Sequence, residues 1–187
     1  MKNAVEGKLN LCNAKSSNSS MNKVQFIKEG VAFNGKKLKT QKRNFLTGSN
    51  DWKVIVDLPG YDYDFPEHII PTRQRPDMLI FSESSKRIAM VELTIPFPTN
   101  VDKSHEAKMK RYGQLVEDVI GYDVHLFCVE VTSLGYRSTH MDSFLSKMGI
   151  GSRSLRNELS DMALRCSYRI YLNRETFDWV PVSLASS

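Results

Sequence analysis

The chain has 187 residues, 41% hydrophobic and 25% charged, with a formal net charge of +5 at pH 7, enough for one domain with a sizeable core. It contains no 18-residue apolar run, which excludes a membrane-spanning helix, and its first residues are too polar for a signal peptide. Three cysteines, Cys12, Cys128 and Cys166, are far apart and odd in number, which argues against a disulfide framework or zinc knuckle and for a reducing, intracellular setting.

Positive charge is concentrated at the front. Residues 1–50 carry ten Lys and Arg against two Glu, whereas the rest carries 16 basic and 19 acidic residues. Asn and Ser enrichment through Asn22 predicts an unstructured basic lead-in over 1–22, then a single domain over 23–180 and a tail over 181–187. Short helices are expected near Val24–Phe33 and after Lys39. Lys36, Lys37, Lys39, Lys42 and Arg43 form a basic stretch suited to phosphate contact or nuclear import, with a merely solvated lead-in as the plainer alternative.

Strands are expected at Trp52–Leu58 and, briefly, at His68–Pro71. Met78–Phe81 and Arg87–Leu93 are short apolar runs joined by the polar link Ser82–Lys86, the pattern of a hairpin. A turn centred on Ser84-Ser85 places Leu79 opposite Met90 and Asp77 opposite Glu92, with Cβ atoms about 5 Å apart. Leu79, Phe81, Ile88 and Met90 then share a face with the two acids, while Met78, Ile80, Ala89 and Val91 fill the other. Apolar residues on both faces predict a central hairpin covered on each side. Two carboxylates this close repel unless a cation sits between them, and Mg²⁺ is the usual candidate. The plainer reading is that Asp77 caps a turn and Glu92 pairs with a surface arginine.

A helix is predicted over Asn100–Ile120, with Asn100 or Asp102 as its N-cap. At about 100° per residue, Val101, Met109, Tyr112, Leu115, Val116, Val119 and Ile120 form one apolar stripe. His105 and Lys108 fall on that stripe, whereas Lys103, Glu106, Lys110, Arg111, Glu117 and Asp118 lie opposite. A lysine on a buried face is disfavoured unless paired, and the acid pair would supply the partner. Snorkelling of Lys108 to water and a satisfied core imidazole at His105 are the alternatives.

Val124–Val131 runs apolar, as a buried parallel strand after a crossover helix would, with Cys128 packed inside it. Thr139 with Asp142 resembles a capping box, and Gly149 with Gly151 ends that helix. A last helix is expected over Ser152–Asn173, burying Leu155, Leu159, Met162, Cys166 and Ile170. Arg153, Arg156, Arg165, Arg169 and Arg174 are expected mostly to face solvent.

Arg75-Pro76-Asp77, Val91–Pro96 and His105–Tyr112 together resemble the PD-(D/E)xK nuclease superfamily, and more closely the restriction-like endonuclease domain of site-specific non-LTR retrotransposons. Asp51–Gly60, Phe65–Ile69, Phe127–Val131 and Gly135 fit the same group, so the resemblance runs from about Phe26 to Trp179. Thr94 stands where the superfamily usually has lysine, and Lys108 fits the relocated lysine of the retrotransposon branch. The resemblance implies an α/β (α+β) restriction-endonuclease-like core, a mixed sheet of four to five strands flanked by helices. It implies a metal-dependent DNA endonuclease, with Mg²⁺ or Mn²⁺ on Asp77, Glu92 and the Leu93 carbonyl, and Lys108 orienting the attacking water. His105, Tyr112 and Thr94 would support these residues or contact phosphate. The nick would leave a 3′-hydroxyl for a reverse-transcriptase region of the same element, and such domains end polyproteins, although no polymerase segment lies in these residues. DNA is the implied partner and the nucleus the implied location. Glu29, Asp57 and Glu67 are all candidates for an upstream acid of the site. Two rivals stand beside this reading: a catalytically inactive or domesticated nucleic-acid-binding module with the same fold, and a protein-interaction domain.

Overall fold

Four strands in the spatial order β1-β2-β3-β4 form one mixed sheet with helices on both faces. The computed structural model describes residues 1–14, 44–58 and 63–174. Its elements are α1 (Lys2–Ala14), β1 (Lys53–Val56), β2 (Met78–Ser82), β3 (Arg87–Thr94), α2 (Val101–Asp118), β4 (Asp123–Glu130), α3 (Thr139–Met148) and α4 (Arg153–Asn173). The first three strands are antiparallel neighbours; β4 runs parallel to β3 after the α2 crossover, as the apolar run at 124–131 predicts. No helix among the described residues is long and apolar enough to cross a membrane.

The hairpin keeps the predicted register, with Leu79 paired to Met90 and Ser82 to Arg87. Its loop, Glu83–Lys86, closes with Lys86 in the left-handed region at φ 51°. Asp51 clamps that loop from the neighbouring strand's approach. Its carboxylate accepts from Ser82 Oγ at 2.6 Å, Ser84 Oγ at 2.5 Å and the Ser84 amide at 2.8 Å. Burial works to raise the Asp51 pKa, but these donors together outweigh it and hold the carboxyl at about 2. A depressed pKa stabilises the fold above the unfolded value near 3.8, and that increment is lost as pH falls through about 2. Asp51→Ala should therefore cost about 1–2 kcal/mol at pH 7 in urea unfolding. The gap from wild type should shrink towards pH 2; a pH-independent gap would mean the charge contributes nothing.

Strand alternation splits the core in two. Met78, Ile80, Ala89 and Val91 face α1, α3 and the first half of α4, meeting Val5, Leu9, Met141, Phe144, Leu145, Met148 and Ala163. Leu79, Phe81, Ile88 and Met90 face α2, meeting Tyr112, Leu115, Val119 and Phe65. The acid-bearing face is thus the one that α2 covers.

Several expectations need correction. Lys2–Ala14, expected within an unstructured lead-in, is a helix because Val5 and Leu9, one turn apart, bury against Trp52 and the sheet. Asn13 fastens its end, donating to the Trp52 carbonyl and accepting from the Trp52 amide, both at 3.1 Å. His68–Pro71 is no strand: the Ile69 and Ile70 amides turn back onto the Pro66 carbonyl at 2.9 and 3.2 Å. α2 ends at Asp118 and Val119 is extended, so Ile120 leaves the helical phase and is exposed; Met109 is exposed too. The cap of α3 is Ser138, which accepts from the Met141 amide, one residue before the predicted Thr139; Gly149 ends the helix in the left-handed region as expected. In α4, Leu155 and Leu159 pack, but Met162, Cys166 and Ile170 are exposed, since α1 and α3 already occupy that face of the sheet. Arg156 turns inward, its Nε donating to Asp142 at 2.7 Å. The helices expected near Val24–Phe33 and after Lys39, and the basic stretch Lys36, Lys37, Lys39, Lys42 and Arg43, lie outside the described residues.

Candidate active site

Asp77 stands one residue before β2, and the pairing of Met78 with Val91 sets it beside Glu92. The Asp77 amide donates to Glu92 Oε1 at 3.2 Å, and the Leu93 amide donates to Asp77 Oδ2 at 2.6 Å. Within an extended strand the N–H and C=O of one residue point to the same side, so the Leu93 carbonyl faces Asp77's side of β3 as well. Lys108, reaching down from α2, donates to Glu92 Oε2 at 2.5 Å. The three residues on which the sequence reading rests therefore meet: Glu92 at 1% exposure, with Lys108 above it and Asp77 alongside.

Burial dominates the electrostatics of Asp77. Burial, the largest influence, raises the Asp77 pKa, and the charges of Glu92 and Asp57 push in the same direction. The Leu93 amide and Lys108 work against them without prevailing. Burial, followed by the charges of Glu130 and Glu92, pushes the nearby Cys128 thiol up to about 11. Among the three upstream acids, Asp57 is the one beside the site, its amide donating to the Asp77 carbonyl at 3.0 Å. Glu67 is exposed in the turn after Pro66, and Glu29 lies outside the described residues.

Two tyrosines fix the backbone that leads into Asp77. Tyr112 is buried and donates to the Arg75 carbonyl at 3.1 Å; Tyr63 donates to the Pro76 carbonyl at 2.5 Å. Burial raises both phenols' pKa values, and Glu92 raises Tyr112 further, so both stay protonated donors. Tyr112 thus sits beside Asp77 and holds the Arg75-Pro76-Asp77 approach rather than Lys108, and Tyr63, absent from the sequence reading, does the same at Pro76. Thr94 pairs with Glu130 across β3 and β4, and its carbonyl accepts from Val131 at 3.1 Å.

His105 also faces inward, but its partners are Glu130 and His140. Its Nδ1 lies 2.8 Å from Glu130 Oε1, and its ring stacks on that of His140 at 3.8 Å between centroids. Glu130 and His140 were missed from sequence. The signal for Glu130 was parity: pairing of Glu92 with Cys128 puts residue 130 on the same face, under α2. His140 comes from the first turn of α3, which no local pattern brings to β4.

Compared with protein-family models and with curated proteins, the chain matches none.

Proposed function

We propose that the chain is a Mg²⁺-dependent DNA endonuclease of restriction-endonuclease-like core and retrotransposon type, nicking one strand by phosphodiester hydrolysis. The observation that carries this reading is the convergence of Asp77, Glu92 and Lys108, two carboxylates and a cation, at the edge of β3. The donors fit a hard ion: carboxylate oxygens of Asp77 and Glu92, and the Leu93 carbonyl turned the same way, suit oxygen-liganded Mg²⁺ or Mn²⁺. Burial first, and then the charges of Glu92 and Asp57, raise the Asp77 pKa, and a divalent ion would offset both by favouring the ionised carboxylate. When bound, such an ion acidifies water and polarises a phosphate.

The chain's own residues supply the rest. The Leu93 amide orients Asp77, and the Tyr112 and Tyr63 hydroxyls hold the Arg75 and Pro76 carbonyls so that Asp77 projects beside Glu92. Lys108, a quarter exposed, would leave Glu92 to orient the attacking water and offset charge developing on phosphoryl oxygens. Family resemblance adds the polarity of the product, a 3′-hydroxyl usable as a primer, and a nuclear place of work.

One observation favours a rival. The Lys108 ammonium occupies Glu92 Oε2, so a copy that never releases it would bind nucleic acid without cutting. The exposed apolar residues of α4's second half favour the protein-interaction reading. Supercoiled-plasmid nicking with Mg²⁺ or Mn²⁺ tests all three. Cleavage by the wild type and its loss in Glu92→Ala supports the proposal. Salt-sensitive DNA binding with no cleavage under either ion would replace it with the binding module, and neither binding nor cleavage with the interaction domain.

A further inference from the structure

Glu130 ends β4 at 1% exposure, and its partners are two imidazoles and a hydroxyl. His105 Nδ1 approaches Oε1 at 2.8 Å, His140 Nδ1 approaches Oε2 at 3.1 Å, and Ser138 Oγ donates to Oε2 at 2.9 Å. A buried carboxylate needs compensating positive charge. Glu92, on the neighbouring strand, has the lysine ammonium of Lys108; Glu130 has imidazoles.

We propose that His105, Glu130 and His140 form a transition-metal site, with Zn²⁺ the ion that the donor set fits best. Two imidazole nitrogens and one carboxylate oxygen, all within 4.8 Å of one another, make the N₂O set that zinc takes in three-ligand sites. Tetrahedral ligation with bonds of about 2.0–2.1 Å spaces donor atoms about 3.4 Å apart. The 2.8 and 3.1 Å approaches to Glu130 must therefore open slightly, and the stacked rings, 18° from parallel, must splay so that both imidazoles point at one ion. His140 can make that rotation, being 43% exposed at the start of α3, and its exposure leaves room for water as a fourth ligand. The imidazole-rich set sets this site apart from the oxygen-only one at Asp77 and Glu92, which suits Mg²⁺.

The surroundings are those of a built site. Each ligand comes from a different element: His105 from α2, Glu130 from β4 and His140 from α3. Ser138 holds the carboxylate from behind while capping α3, the kind of outer contact that orients a metal ligand. A bound ion would tie α3 and β4 to the helix that carries Lys108, one turn on from His105. Zinc here would link the three elements while keeping one position open to water, and the inference stands whether or not the chain cuts DNA.

The test uses the full chain, free of affinity tags and stripped with a chelator. Zn²⁺ is titrated against a chromophoric competitor, and Co²⁺ is added separately to read its visible absorption. The expected result is one Zn²⁺ per chain, an intense Co²⁺ band of tetrahedral type, and no displacement by millimolar Mg²⁺. His140→Ala, at a half-exposed position outside both cores, should keep the fold by circular dichroism and weaken Zn²⁺ binding at least about tenfold. Glu92→Gln should bind Zn²⁺ like wild type, separating this site from the proposed nuclease centre. No stoichiometric Zn²⁺ binding by wild type, or equal binding by His140→Ala, would overturn the proposal and leave a hydrogen-bonded His–Glu–His cluster.

Discussion

Asp77→Asn is expected to abolish metal-dependent nicking, by at least about a hundredfold, while leaving the metal-free protein as stable as wild type or more so. Asparagine keeps the size of the side chain and an oxygen to accept from the Leu93 amide, but loses the charge. Loss of one carboxylate from the ion-binding pair removes an electrostatic contribution of the order that single active-site donors make, about 10²–10³ in rate. The stability effect has the opposite sign. The Asp77 pKa is raised from its ordinary 3.8, so the folded state holds the proton more tightly than the unfolded one. Stability therefore falls as pH rises from 3.8 through the folded pKa, and at pH 7 the ionised Asp77 is a net cost. Thermal unfolding in a chelator should show that downward step in wild type and a flatter profile in Asp77→Asn. Unimpaired nicking by the variant would remove Asp77 from the site; a lower melting temperature at pH 7 would contradict the electrostatic account.

Lys108→Met should destabilise the fold by about 3 kcal/mol, the lower end of what breaking a buried ion pair costs, because Lys108 is partly exposed. The methylene stem survives in methionine; what is lost is the cation on a carboxylate at 1% exposure. The double variant Lys108→Met with Glu92→Gln should recover most of that loss, since neither charge then remains unpaired. Nicking should stay absent in both. Urea unfolding of the two single variants and the double gives the coupling directly. A coupling near zero would mean that the 2.5 Å contact is not energetically an ion pair, and the structural case for Lys108 would go with it. Full recovery of stability without recovery of cleavage separates what Lys108 does for the fold from what it does for chemistry.

The hairpin and the inward face of α2 were legible because both are set by local repeats. A period of two with a symmetric polar link fixes Leu79 against Met90, and a 3.6-residue period puts Lys108 on the same side as Tyr112 and Leu115. Their meeting followed from the rule that a helix between parallel strands packs on the sheet. Glu130 and His140 were not legible in the same way. Glu130 needs the β3–β4 register, and His140 needs the approach of α3 after a loop, neither of which leaves a local mark. The α4 stripe shows the converse limit: periodicity gives the face a helix would bury, not whether a surface is left to receive it. Met162, Cys166 and Ile170 keep the spacing of a core stripe but meet no core among the described residues. At α1, the Asn- and Ser-rich composition that follows hides the helix, although two apolar residues one turn apart, Val5 and Leu9, suffice to dock it.

The position of Cys128 between two acidic side chains has a consequence for redox chemistry. The thiolate is the species that reacts with peroxide or a disulfide, and the carboxylates of Glu130 and Glu92, added to burial, disfavour it. The thiol beside the proposed chemistry is therefore held inert, and Cys166, exposed on the outer half of α4, is the most accessible of the three to oxidants. Oxidative damage would accumulate away from the carboxylates and spare the strand that carries Glu130.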